Sequence, residues 1–216
     1  MSFKKNKYIV IKNVINKDLS TFLYNYILIK KQVFLTCIKS KYISPYEFLL
    51  GEHDSQVPNT YASYGDIAME TLLLKCQSIM EKNTELKLSP AYAYTRVYKK
   101  NDVLERHKDR FSCEISTTMN LGGDKWPIYL SPHENVGEPD GKKFTMSSKA
   151  KGIKIDLDPG DMLVYRGVEL EHWRNKFKGK DCAQVFLHYN NIKTPGSKEN
   201  IFDRRPHLGL PSWFKK

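Results

Sequence analysis

The 216-residue chain has only four cysteines, Cys37, Cys76, Cys113 and Cys182, and no Cys-x-x-Cys pair. So scattered a set excludes a disulfide frame and a thiolate zinc site; it points to reduced thiols and a cytoplasmic setting. Long hydrophobic runs are missing too. None reaches the roughly 18 residues of a membrane span. The apolar run behind the basic start is Tyr8-Ile9-Val10-Ile11, too short for a signal peptide. No membrane partner is expected. No internal repeat and no low-complexity segment occurs. Acidic residues are scarce at the ends: residues 1–50 carry nine Lys/Arg against two Asp/Glu, and residues 191–216 carry six against two. The intervening segment is neutral. A basic surface attracts nucleic acid or an acidic partner, but a solvated surface that keeps the protein soluble is the simpler account of these ends.

What is present is enough chain for one domain with a sizeable core, expected to be monomeric. The order of its parts is a helical support over about 1–85, a β-rich segment over about 86–192 and a tail over 193–216. Tyr8–Val14 reads as a strand, and Asn16 or Asp18 caps a helix. Leu19, Phe22, Leu23, Tyr26 and Ile27 recur at helical spacing and form one buried face. A second helix follows Asp66, with Met69, Leu72, Leu73, Cys76, Ile79 and Met80 on its stripe. Between them, Tyr42–Ser63 has no period and reads as a long loop with at most one short strand. Its aromatics (Tyr42, Tyr46, Phe48, Tyr61) and Gly51 suit a lid over a binding site.

From Leu86 the pattern turns to short strands. Ala91–Lys99 alternates, with Tyr92, Tyr94, Arg96 and Tyr98 on one face. Further strands cover Val103–His107, Glu114–Asn120, Trp126–Leu130, Ile153–Leu157, Met162–Tyr165 and Ala183–Tyr189. A polar stretch, Ser131–Lys149, interrupts them, and Asp158-Pro159-Gly160-Asp161 is a turn. Helices ahead of about eight short strands predict an α+β protein. Its core is a jelly-roll, cupin-like antiparallel double sheet with the N-terminal helices on one face.

The chemistry gathers around His107-Lys108-Asp109 and, with 62 residues between, His172. In an extended strand, residues two apart project to the same side, so His107 and Asp109 both face inward. His172 is expected to close the set from the opposing sheet, on a strand beginning at Asp161. Two imidazoles and one carboxylate hold one face of an Fe(II) ion and leave the other open to a co-substrate and O2. His107, Asp109 and His172 are thus candidate metal ligands and catalytic residues, although an isolated His-x-Asp also occurs by chance and a lone histidine is more often an ordinary surface or core residue.

The stretch Arg96-Val-Tyr98-Lys-Lys-Asn-Asp102-Val-Leu-Glu-Arg-His107-Lys-Asp109-Arg110 resembles the R-Y-x-x-G-D-x-L-x-x-H-x-D pattern of Fe(II)/2-oxoglutarate oxygenases of the prolyl 4-hydroxylase group. The stretch from Asp158-Pro-Gly160-Asp161 through His172-Trp173-Arg174 to Gln184…Tyr189 resembles that group's P-G-D, apolar run, His and closing strand. The likeness covers about residues 90–190. It implies a double-stranded β-helix, with Fe(II), 2-oxoglutarate and O2 as cofactor and co-substrates and ascorbate as a reductant. The implied reaction is hydroxylation of a proline-containing protein or peptide, with release of succinate and CO2. Tyr98 falls where the group has a tyrosine touching the 2-oxoglutarate tail. One departure stands out. The group's Arg or Lys nine or ten residues after the distal histidine is replaced here by Asp181 and Cys182. A carboxylate in a drying pocket needs a cation. Arg174, with the better fork geometry, and Lys180, closer to the usual slot, are the two candidates.

Plainer roles fall to the rest. Thr118 and Asn120 share one strand face and read as ordinary strand polarity. Gln184, Phe186 and His188 share a face of the last strand, and His188 is not needed as a ligand. Arg110 reads as a surface salt bridge, and Trp126 and Trp173 as packing near the mouth. A nucleic-acid substrate is not favoured, because no arginine occurs between Arg174 and Arg204. The same pattern is compatible with a small-molecule substrate, and with a roll that binds metal without turnover.

Overall fold

In the computed structural model, which describes residues 2–42, 49–131 and 150–215, two capped helices precede the main run of strands over 88–191. Helix α1 (Phe3–Asn6) and strand β1 (Tyr8–Ile11) lead to α2 (Lys17–Lys39). The Asn16 side chain accepts from the Leu19 N–H at 2.9 Å, satisfying one of the donors a helix start leaves free. Strands β2 (Glu52–His53) and β3 (Tyr61–Tyr64) follow, then α3 (Ile67–Thr84), capped in the same way by Asp66. Leu23, Ile27 and Phe34 of α2 and Met69, Leu73 and Met80 of α3 are buried in the main core. Each such side chain contributes about 1.5–3 kcal/mol relative to exposure. Phe22, expected in the stripe, is 65% exposed. It lies one residue, about 100° of turn, from the Leu23 centre line, which puts it over the edge of the buried face.

The remaining strands are β4 (Leu88–Lys99), β5 (Leu104–His107), β6 (Ile115–Gly123), β7 (Ile128–Ser131), β8 (Ile153–Ile155), β9 (Met162–Arg166), β10 (Glu171–Arg174) and β11 (Asp181–Asn191). They form two antiparallel sheets. The larger runs β1-β9-β6-β11-β4-β3-β2 and the smaller β5-β10-β7-β8. From β4 onward the chain winds between the sheets, which is the double-stranded β-helix expected from the strand pattern. Helices α2 and α3 pack on the outer face of the large sheet, so its inner face is free to carry chemistry.

Two expectations change here. The strand after Asp161 does not run on to His172. It ends at Arg166 in the large sheet, and His172 lies on β10 in the small one, beyond a bend at Gly167. Residues 49–63 are also not a plain loop. They add β2 and β3 to the edge of the large sheet, beside β4. Tyr61 is buried beside Phe34, and its hydroxyl donates to the Leu50 carbonyl at 2.6 Å. Gly51 has φ +141°, and a Cβ there would lie 2.8 Å from Tyr61 Cζ, so close packing demands this glycine. Tyr42 is exposed, while Tyr46, Phe48 and the stretch 132–149 lie outside the described residues.

Candidate metal centre

His107 ends β5 and pairs in register with His172 on β10, the neighbouring strand of the small sheet. The two imidazoles therefore come from adjacent strands of one sheet, not from opposing sheets. Their ring centroids are 4.1 Å apart. The Nδ1 of His107 meets the Glu105 carbonyl at 2.8 Å, and that of His172 meets the Leu170 carbonyl at 3.0 Å. A carbonyl only accepts, so each Nδ1 carries the proton and each Nε2 offers its lone pair. Both Nε2 atoms converge on Asp109 Oδ1, at 3.7 Å from His107 and 3.5 Å from His172. These three donor atoms form a compact set suited to one divalent ion.

Asp109 is not on the strand, which stops at His107. Its N–H donates to the Gly167 carbonyl at 2.9 Å, and its Oδ2 accepts from Ser116 Oγ at 2.7 Å. That second bond ties down one carboxylate oxygen and leaves Oδ1 for an ion. Ser116 Oγ is also 3.0 Å from His188 Nδ1. Burial alone would raise the Asp109 carboxyl, but His172 and then His107 outweigh it and hold it below the usual carboxylate range. Burial, helped by His172, pushes His107 down to about 3, and burial pushes His188 down to about 4. His107 and His188 are therefore neutral at pH 7, and a histidine ligand must be neutral to offer its lone pair.

Two expected outcomes arise here. A Cβ at Gly167 would collide with Asp109 Oδ2 and the Cys113 carbonyl and come within 2.7 Å of Ser116 Oγ. Gly167→Ala should therefore push Asp109 out of place and weaken Co(II) binding by roughly tenfold or more in a metal titration. Unchanged affinity would contradict this geometry. The second outcome concerns pH. Buried His107 and His188 bind protons more readily unfolded than folded. Metal-free protein should lose stability as the pH falls from about 6.5 toward 4, and His188→Gln should flatten that slope in thermal melts.

Further along the inner faces, Tyr98 is fully buried, with its ring edge-on to Trp126 at 4.7 Å. Arg174, two residues after His172, shares its inward face. Its Nη1 donates to the Trp126 carbonyl, and its Nη2 to Thr118 Oγ1 at 3.1 Å and Gln184 Oε1 at 3.3 Å. Its Nε has no partner, and among the described residues no carboxylate pairs with this 1%-exposed guanidinium. Burial pulls Arg174 below its ordinary range. Lys180 lies elsewhere: it is exposed, and its backbone N–H binds Asp124. Asp181 accepts from Tyr24 of α2, and Cys182 pairs with Tyr98 across β11 and β4.

Thr118 thus holds Arg174, a role its strand alternation does not reveal. Trp173 points away from the mouth, stacked between Tyr129 and the Arg106 guanidinium. Three participants are given no role in the sequence reading. Tyr165 on β9 places its hydroxyl 3.3 Å from His172 Nε2. Ser116 holds Asp109, and strand alternation is the signal that could have found both. Arg96 binds Tyr98 (3.2 Å), Asp54 (2.7 Å) and Gln56 (2.7 Å) at the mouth. Only the fold brings Asp54 there.

The sequence matches no family model and no curated protein sequence. Its fold is that of Fe(II)/2-oxoglutarate-dependent oxygenases. A prolyl-4-hydroxylase from Pseudomonas putida is 14% identical, with 88% of this chain and 95% of that one aligned at TM-score 0.54. A prolyl hydroxylase from Trichoplax adhaerens, solved with a hypoxia-inducible-factor peptide, is 14% identical over 87% and 85% at 0.54. The epimerase SnoN from nogalamycin biosynthesis, solved with Fe3+, α-ketoglutarate and nogalamycin RO, is 10% identical over 88% and 80% at 0.62. No helix among the described residues is long and apolar enough to cross a membrane.

Proposed function

We propose that the chain is an Fe(II)- and 2-oxoglutarate-dependent dioxygenase that hydroxylates prolyl residues of a protein or peptide and releases succinate and CO2. One observation carries this reading. The inward face of β10 presents a ligand of a two-histidine, one-carboxylate triad and, two residues on, a buried guanidinium with no carboxylate partner among the described residues. An unpaired buried charge is costly, and an arriving dianion relieves that cost. Bound iron and 2-oxoglutarate would supply the activation of O2 that C–H hydroxylation requires.

The residues' parts follow from their geometry. His107, Asp109 and His172 would hold the ion. Arg174 pairs the distal carboxylate of 2-oxoglutarate, and the Tyr98 hydroxyl donates to it. Arg174 serves here rather than Lys180, because Lys180 is exposed. The cation then comes from the small sheet, and Cys182 replaces the one the closing strand usually carries. Buried Leu130, Leu163 and Trp126 keep water from the interior.

The motif likeness over 96–110 and 158–189, together with the two prolyl hydroxylases above, supports a prolyl substrate. A small molecule is the second reading, favoured by the higher TM-score of the epimerase. Iron-loaded protein, 2-oxoglutarate and ascorbate should convert proline-containing peptides with gain of one oxygen, matched by succinate. Succinate without peptide oxidation would move the substrate to the second reading. No succinate under any condition would rule out the enzyme.

A further inference from the structure

His107 and His172 are fixed by strand pairing, but Asp109 is not. It follows the end of β5, and no ladder holds the segment 108–110. Gly167 and Ser116 hold Asp109 from within the roll, and a further support for this segment comes from outside it. The Arg110 guanidinium makes a two-pronged ion pair with Asp203, Nη1 to Oδ1 at 2.7 Å and Nη2 to Oδ2 at 2.8 Å. Asp203 is 1% exposed and belongs to the C-terminal tail. It also accepts from Ser112 Oγ (2.6 Å), Tyr64 OH (2.6 Å) and Lys215 Nζ (2.8 Å).

The tail is bent to deliver this carboxylate. Phe202, Asp203 and Arg204 all have left-handed φ, at 55°, 57° and 67°. Three consecutive non-glycine residues in that region persist only where surrounding contacts over-determine them, and such strain gathers at functional sites. The same network closes on the ligand from its other side. Arg110 lies over the Tyr92 ring at 4.8 Å, and the Tyr92 ring lies tilted against His188, centroids 4.5 Å apart. His188 meets Ser116, which holds Asp109 Oδ2.

We propose that the C-terminal tail is a working part of the metal centre, in which Asp203 acts as a positioning residue that clamps Arg110 and thereby aims Asp109 at the ion. This rests on the triad being a metal site. Along the sequence Arg110 reads as a surface salt bridge; the pair is instead one whose carboxylate is buried. The tail has a second buried anchor, Arg205 to Glu70 at 2.6 Å, which docks it on α3. That pair does not touch the 108–110 segment, so it separates a general structural role from a positioning one.

The test is titration of the metal-free protein with Co(II), read by its visible absorption, together with melting temperature. Asp203→Asn and Arg110→Lys should each raise the Co(II) Kd about tenfold or more and shift the absorption bands, as expected for lost support of a ligand. Glu70→Gln should lower the melting temperature and leave the Kd within about twofold of the parent. Arg110→Lys keeps the charge and decides the matter if Asp203→Asn does not fold. Unchanged affinity and bands in the folded clamp variants would overturn the clamp, as would an equal loss in Glu70→Gln. A parent chain that takes up no Co(II) would instead overturn the triad, and the clamp with it.

Discussion

His172→Ala should abolish metal binding and turnover while leaving the roll folded. The ring supplies one of three ligand atoms, and its Nε2 stands 3.5 Å from Asp109 Oδ1. Removing mere supporting partners of metal ligands costs roughly 10–100-fold in affinity, so loss of the ligand itself should exceed about a hundredfold. The backbone pairs of β10 with β5 and β7 do not depend on that side chain, so the sheet should persist. A further signature is independent of activity. The neighbouring His172 helps to depress His107, so the His107 titration should move up toward the ordinary histidine range in the variant. Histidine NMR on metal-free protein reads this directly. Full Co(II) uptake, or undiminished succinate formation, would remove His172 from the site.

Arg174→Met should separate function from stability. The parent residue is a buried guanidinium without a counter-ion among the described residues, and an isolated charge in the interior destabilises the metal-free fold. A methionine fills much of the same volume without the charge. The variant should melt no lower than the parent, and higher if packing is preserved. Its 2-oxoglutarate KM should rise at least about tenfold, since a lost hydrogen bond to a charged group costs about 1.5–3 kcal/mol. Lys180→Ala should change neither quantity. The reverse pattern, an unchanged KM in Arg174→Met and a raised one in Lys180→Ala, would transfer the cation to Lys180. A melting point well below the parent would mean that the bonds to Thr118, Gln184 and the Trp126 carbonyl outweigh the uncompensated charge.

Much of this site is open to reading along the chain, for a local reason. The cap residues Asn16 and Asp66, the period of α3 and the alternation of Tyr92, Tyr94, Arg96 and Tyr98 are all set by backbone geometry over a few residues. The candidate triad is legible only through its context, because a bare His-x-Asp recurs by chance, whereas the strand, turn and motif residues around it do not. The stripe of α2 breaks down at Phe22, where one residue decides which side of a face edge a ring occupies.

The sequence by itself thus determined the α+β class and singled out His107, Asp109 and His172 as candidate metal ligands. Tertiary structure decided where those ligands come from. Two neighbouring strands of the small sheet supply the histidines, while Asp109 sits beyond a strand end, supported by Gly167, Ser116 and the tail. It also separates Arg174 from Lys180, burying one and exposing the other. The reason is the range of the forces involved. Propensity and alternation act between near neighbours, whereas an ion pair with a buried carboxylate, such as Arg110 with Asp203, joins residues 93 positions apart. Its strength depends on the low-dielectric surroundings that only the folded chain creates.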